Sequence, residues 1–190
     1  HNGYAWEPAL RAGFFQVTSI TTTTGLVTDD FELWHPLGQM VLLSLMFVGG
    51  CTGSTSGGLK VARLLLLTKV VAREFKRMVN RHGVFAVRLG SRVIPESTVQ
   101  SLLSLVYIAA AVILSASLLL ASMGVDVLTS LTAAIAAVFN IGPAFGGVGP
   151  FDNYGWLPAG AKWVLSVCMI AGRLEFYSAL VLLTPWFWRK

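Results

Sequence analysis

Between Ser97 and Met123 every position is uncharged and most are apolar. That run satisfies the roughly 20 residues a helix needs to cross a hydrocarbon core about 30 Å thick. Gly160 to Trp188 is a second such run, with Lys162 at its start and Arg173-Leu174-Glu175 in its middle. Pro36 to Ala72 follows a different pattern: a short apolar run, Met40 to Val48, gives way to Gly49-Gly50-Cys51-Thr52-Gly53-Ser54-Thr55-Ser56-Gly57-Gly58 before a second apolar run. This predicts a helix broken inside a membrane. Two more apolar runs, one ending in Thr21-Thr22-Thr23-Thr24-Gly25 and one in Asn140-Ile141-Gly142-Pro143, are too brief to span. They predict short helices that enter the membrane and turn back.

Composition makes the membrane reading firm. Of the 190 residues 55% are hydrophobic and 12% charged, against about one quarter charged in ordinary soluble domains. A soluble enzyme, a disordered tail and a coiled coil are excluded. The charges also segregate. Nine of the fourteen Lys and Arg (Lys60, Arg63, Lys69, Arg73, Lys76, Arg77, Arg81, Arg88, Arg92) share one window, and Arg189-Lys190 close the chain. Both groups are assigned to the cytoplasmic face, where basic residues concentrate. Glu7, Asp29, Asp30, Glu32, Asp126 and Asp152 then fall on the opposite face. The net charge of +5 is therefore a topology signal, and no nucleic-acid partner is expected.

The chain repeats itself. Leu10 to Gly25 and Val127 to Gly142 are each a short helix ending in polar residues and a glycine. After each comes an acidic outer segment, then Trp-x-Pro (Trp34-His35-Pro36 and Trp156-Leu157-Pro158), then an apolar helix reaching Gly50 or Gly172. Two crossings separate the copies, so they point the same way, whereas inverted-repeat transporters carry oppositely oriented halves. The expected fold is an all-α integral membrane protein with two parallel potassium-channel-like repeats of helix, re-entrant pore helix, filter loop and helix. The expected division is 1–72 (pore helix, filter and broken inner helix with the loop 49–58), 73–96 (basic cytoplasmic linker) and 97–190. The last part comprises an outer helix 97–123, a pore helix and filter 125–146, and an inner helix 159–188.

Non-helical backbone at membrane depth is tolerated only where it is buried in protein or lines water. Extended segments at Thr22, Thr23, Thr24 and Gly25, and at Asn140, Ile141, Gly142 and Pro143, would offer a dehydrated cation one carbonyl per residue. Helix C-termini ahead of them would add partial negative charge. The alternative is ordinary turns between buried helices. The glycine-rich string is no phosphate loop, because Gly53 and Gly58 lead into Leu59-Lys60-Val61 without a preceding strand. It reads as a mobile plug or, alternatively, a rigid kink. Arg173 is costly near the bilayer middle and must face protein or water with a partner. Carbonyls of the 49–58 loop suit it better than Glu175, which lies two residues on and on another helix face. Arg173 would then be either an electrostatic barrier or half of a structural ion pair. His1, His35 and His82 share no metal-ligand spacing, Cys51 and Cys168 imply no disulfide framework, and no nucleophile and base fall together. Neither an enzyme nor an organic cofactor is expected.

At Thr21 to Leu26, Gly49 to Lys60, Phe139 to Pro143 and Ala171 to Glu175, the chain resembles the Trk/Ktr/HKT superfamily of potassium transporters, and most the bacterial TrkH type. The resemblance covers essentially the whole chain and departs slightly at Ala144, where glycine is common. It implies four repeats around one pore, of which this chain would supply the pore loop and inner helix of the third and all of the fourth. It further implies that Gly25 and Gly142 are filter glycines for potassium ion, that Gly49 to Gly58 is an intramembrane gate, and that Arg173 is the arginine beneath the filter. Implied partners are membrane lipid, the remaining repeats of the same polypeptide, a second copy in a homodimer, and a cytosolic nucleotide-binding regulatory ring of TrkA type near the basic window. The implied location is a bacterial inner (plasma) membrane. The competing expectation is a secondary transporter of an anionic or small organic substrate with Arg173 as its counter-ion; a structural subunit whose re-entrant segments only pack is a third.

Overall fold

The computed structural model describes residues 6–51, 53–54, 56–80, 83, 85–90, 92–174 and 176. Thr52, Thr55 and Glu175, three of the positions singled out above, lie outside the described residues, as do 177–190. Six α-helices are formed among the described residues: α1 (Trp6–Thr21), α2 (Pro36–Leu45), α3 (Val61–Val79), α4 (Glu96–Ser122), α5 (Val127–Val138) and α6 (Ala159–Arg173).

Helix α4 is the one described helix long and apolar enough to cross a membrane. Its 27 residues span about 40 Å at 1.5 Å per residue. Val99, Leu102, Leu105, Ala109, Ile113, Ala116 and Leu120 are buried along it, a stripe at helical period, and α5 and α6 pack there. Helix α5 has only 12 residues, about 18 Å, too little to span. It is nonetheless the most enclosed element, with Ala133, Ala134, Ala136 and Ala137 all buried. Small side chains let backbones approach where lipid supplies no hydrophobic drive. A Cβ placed on Gly172 of α6 would collide with the Val138 carbonyl oxygen at the end of α5.

The two copies share one core. Ile20, Phe31, Leu42 and Met46 from the first pack in a single cluster with α4, α5 and α6. The Phe31 and Phe145 rings meet edge to face at 5.0 Å, a favoured aromatic geometry. A smaller cluster of Leu66, Val70, Val87, Val99 and Leu102 joins α3 to the start of α4. Above it Arg73 is buried and makes a two-pronged ion pair with Glu96, at 2.6 and 3.0 Å.

Two details differ from the pattern-based expectation. The broken helix stops at Leu45, before its glycines, and Val48–Gly49 (β1) pairs in parallel with Leu59–Lys60 (β2). A two-residue ladder closes the neck of the loop, because backbone leaving a helix at this depth still needs partners. Helix α3 runs on to Val79, so the first residues assigned to the linker 73–96 are helical. A hairpin of Arg88–Leu89 (β3) and Arg92–Val93 (β4) follows. The inner helix expected over 159–188 is described from Ala159 to Arg173, with Leu174 capping it and Phe176 at a left-handed φ of 55°; 177–188 lie outside the described residues.

Candidate functional site

Helices α1 and α5 end in the same way. The Thr23 N–H donates to Ile20 O and the Thr24 N–H to Ser19 O; the Asn140 N–H donates to Ala137 O and the Ile141 N–H to Ala136 O. Each is a Schellman motif, the 5→2 and 6→1 pair that ends a helix through one left-handed residue. Those residues are Thr23 (φ 53°) and Asn140 (φ 55°), two positions before Gly25 (φ 75°) and Gly142 (φ 108°). Thr is a costly choice for that conformation and Asn an accepted one. The turn recurs at the register that the two glycines set in the sequence.

The two glycine segments then meet. A Cβ on Gly25 would strike the Ile141 carbonyl oxygen, and one on Gly142 would lie 3.8 Å from the Gly25 Cα. Any side chain at Gly25 is thus excluded by a neighbouring main chain as well as by its own φ. Around this point Thr22 and Thr24 share a hydroxyl hydrogen bond of 2.8 Å. The Ser19 hydroxyl donates to Leu26 O at 2.6 Å, and Asn140 Nδ2 donates to Met169 O on α6 at 3.2 Å. Helix C-termini, carrying partial negative charge, lead into both segments.

The glycine-rich loop lies directly against them. The Gly57 N–H donates to the Thr23 hydroxyl at 3.0 Å, and a Cβ on Gly57 would collide with Phe139 O. The loop is folded by its own hydroxyls: Ser54 Oγ donates to Ser56 Oγ at 2.9 Å, which in turn accepts the Gly50 N–H at 2.8 Å. A cavity of about 180 Å³ opens between Ser54, Ser56, Gly57 and Gly58 on one side and Phe139, Gly172 and Arg173 on the other. Lys60 and Arg63 also line it. The two glycine segments, the loop and Arg173 are therefore neighbours; Cys51 is exposed at the loop's start and Cys168 is buried on α6.

Several supporting groups escaped the sequence reading. Tyr154 donates its hydroxyl to Gly142 O at 2.7 Å. Glu32 accepts the Gly146 N–H, a bond from one copy to the other. Burial pushes the Glu32 carboxyl up from its ordinary 4.5; that hydrogen bond opposes the rise and the nearby Asp30 and Asp152 add to it. Thr129 Oγ1 accepts the Gly147 N–H at 3.0 Å and Thr132 Oγ1 donates to Phe145 O at 2.7 Å. One signal for the first two existed: aligning the Trp-x-Pro motifs sets Glu32 beside Tyr154, both two residues before the tryptophan.

Short helices that end at matching glycine turns, a broken helix folded against them and a long apolar helix beside them fit an integral membrane protein of the cation-transport class. The family model described as TrkH, cation transport protein, matches residues 3–189. The chain belongs to that family. It is 39% identical to the Trk system potassium uptake protein TrkH of Escherichia coli K12, over all of this chain and 39% of that protein. It is 40% identical to the protein of the same name in Salmonella typhimurium, over 95% of this chain and 37% of the relative. The crystal structure of the potassium transporter TrkH from Vibrio parahaemolyticus superposes with a TM-score of 0.90 at 39% identity, covering all of this chain and 40% of that one. The chain thus spans about two fifths of the length of the proteins it matches.

Proposed function

We propose that this chain builds two of four quarters of a potassium-conducting pore in a bacterial inner membrane, as parallel repeats in a longer polypeptide. Gly25 and Gly142, with Thr22 to Thr24 and Asn140, Ile141 and Pro143, form half of a filter whose backbone carbonyls replace the water shell of K⁺. The loop Gly49 to Gly58 closes the path beneath, and Arg173 adds a positive barrier at the cavity they share. The observation that carries this reading is the meeting of two identically turned glycine segments, with the Gly57 backbone against both. Helix C-termini rather than N-termini reach the point where they meet, which favours a cation over an anionic substrate and argues against Arg173 as a substrate counter-ion. The membrane potential supplies the inward drive, about 2.3 kcal/mol per charge per 100 mV.

The names of the relatives, each a potassium uptake protein of a Trk system, support the same ion. A second copy in a homodimer and a cytosolic nucleotide-binding ring of TrkA type near Arg73 to Arg92 complete the proposed assembly. The test is rubidium and sodium uptake by the full-length polypeptide in potassium-uptake-deficient bacteria. Rubidium uptake abolished by Gly142→Asp and raised by Arg173→Ala supports filter and barrier. Uptake that Gly142→Asp leaves intact removes the filter assignment.

A further inference from the structure

We propose that Tyr154 is a positioning residue for ion selection, fixing the Gly142 carbonyl from behind through its hydroxyl. The inference rests on the reading of Gly142 as a filter glycine. Its observation is the 2.7 Å bond from the Tyr154 hydroxyl to Gly142 O. A peptide carbonyl next to a glycine at φ 108° has little of its own stiffness, since glycine crosses wide regions of φ and ψ without a Cβ to stop it. Something else must hold it. Ring and hydroxyl are well placed to do so: Tyr154 packs against the main core, and burial pushes its phenol up to about 12. The group is therefore a neutral, protonated donor at any working pH. It takes one lone-pair direction of the Gly142 oxygen and leaves the other for an ion.

The turn that carries Tyr154 is itself anchored. Asn153 Oδ1 accepts the Gly155 N–H at 2.8 Å, Lys162 Nζ donates to Gly155 O at 2.7 Å, and Trp156 Nε1 donates to Gly147 O at 2.7 Å. In the first copy the aligned residue is Glu32, which holds the same segment at Gly146. The turns before the two tryptophans thus grip one segment at both ends. A carbonyl so held keeps the spacing that suits a large cation and cannot close in on a smaller one.

The assay is the ratio of rubidium to sodium uptake by the full-length protein, measured on the same membranes so that protein yield cancels. Tyr154→Phe keeps the ring and removes only the donor. The ratio is expected to fall about 2- to 10-fold, the range one neutral hydrogen bond carries. Ser122→Ala removes a hydrogen bond of equal length, from an exposed hydroxyl to Leu119 O within α4, and is expected to leave the ratio at its wild-type value. An unchanged ratio in Tyr154→Phe overturns the proposal, and so does an equal fall in both ions, which marks a merely structural role. If Gly142→Asp fails to abolish uptake, the filter reading fails instead, so the two failures are distinct.

Discussion

Adding one methyl group at Gly57 would push the glycine-rich loop off the turn at Phe139 and Asn140. The new Cβ would overlap Phe139 O, lie 2.8 Å from the Phe139 carbonyl carbon and stand 3.4 Å from the Asn140 Cβ. The first two are backbone atoms beside the Schellman turn, so no side-chain tip can swing aside. The loop has to retreat, and its Gly57 N–H loses the Thr23 hydroxyl it now reaches at 3.0 Å. Overpacking of this kind costs about 1–3 kcal/mol, and here the cost falls on the closed position alone. At about 1.4 kcal/mol per tenfold, the balance shifts toward open by about 5- to 150-fold. Gly57→Ala in the full-length protein is therefore expected to raise rubidium uptake by a factor in that range, up to the rate of the open pore. Uptake at or below wild type, with equal protein in the membrane, refutes the claim that the loop closes the path where it meets Phe139.

Further outcomes follow from the same geometry. Thr23→Val removes the acceptor for Gly57 and should raise rubidium uptake about 2- to 10-fold; combined with Gly57→Ala the gain should be less than the product, because both act on one contact. Gly25→Ala places a Cβ at φ 75° and against Ile141 O, so it should lower rubidium uptake at least about tenfold, the left-handed cost alone being about 1–2 kcal/mol. Glu32, with its pKa raised by burial, contributes stability that is present below its ordinary range and lost as pH rises through the raised value. The melting temperature of Glu32→Gln should therefore vary less than wild type between about pH 4.5 and 7, and an unchanged profile contradicts that sign.

Gly25, Gly142 and the 49–58 loop were legible in the sequence because their physics is local. A left-handed φ or a main chain at contact distance admits few residues, and the glycines mark such places. Arg173 stood out because an apolar run makes a guanidinium expensive. The cap at Leu174 is not legible, since Leu174 and the apolar residues after it continue the pattern of a spanning helix; it goes with the left-handed turn at Phe176. Arg73 reads in the sequence only as one charge in a basic window. Its pairing with Glu96 joins residues 23 positions apart and leaves no periodic trace. Tyr154 shows the same limit: a hydroxyl reaching a carbonyl twelve residues earlier has no compositional signature, and only the alignment of the two Trp-x-Pro motifs brings it level with Glu32.

In the proposed pore the two glycine segments bind a dehydrated cation. Crystals of the full-length protein grown in thallium, a heavy mimic of potassium, test it most directly through anomalous scattering. A peak is expected beside the main chain of Gly25 and Gly142, lost in Gly142→Asp. Thallium peaks elsewhere with none at these glycines would contradict it.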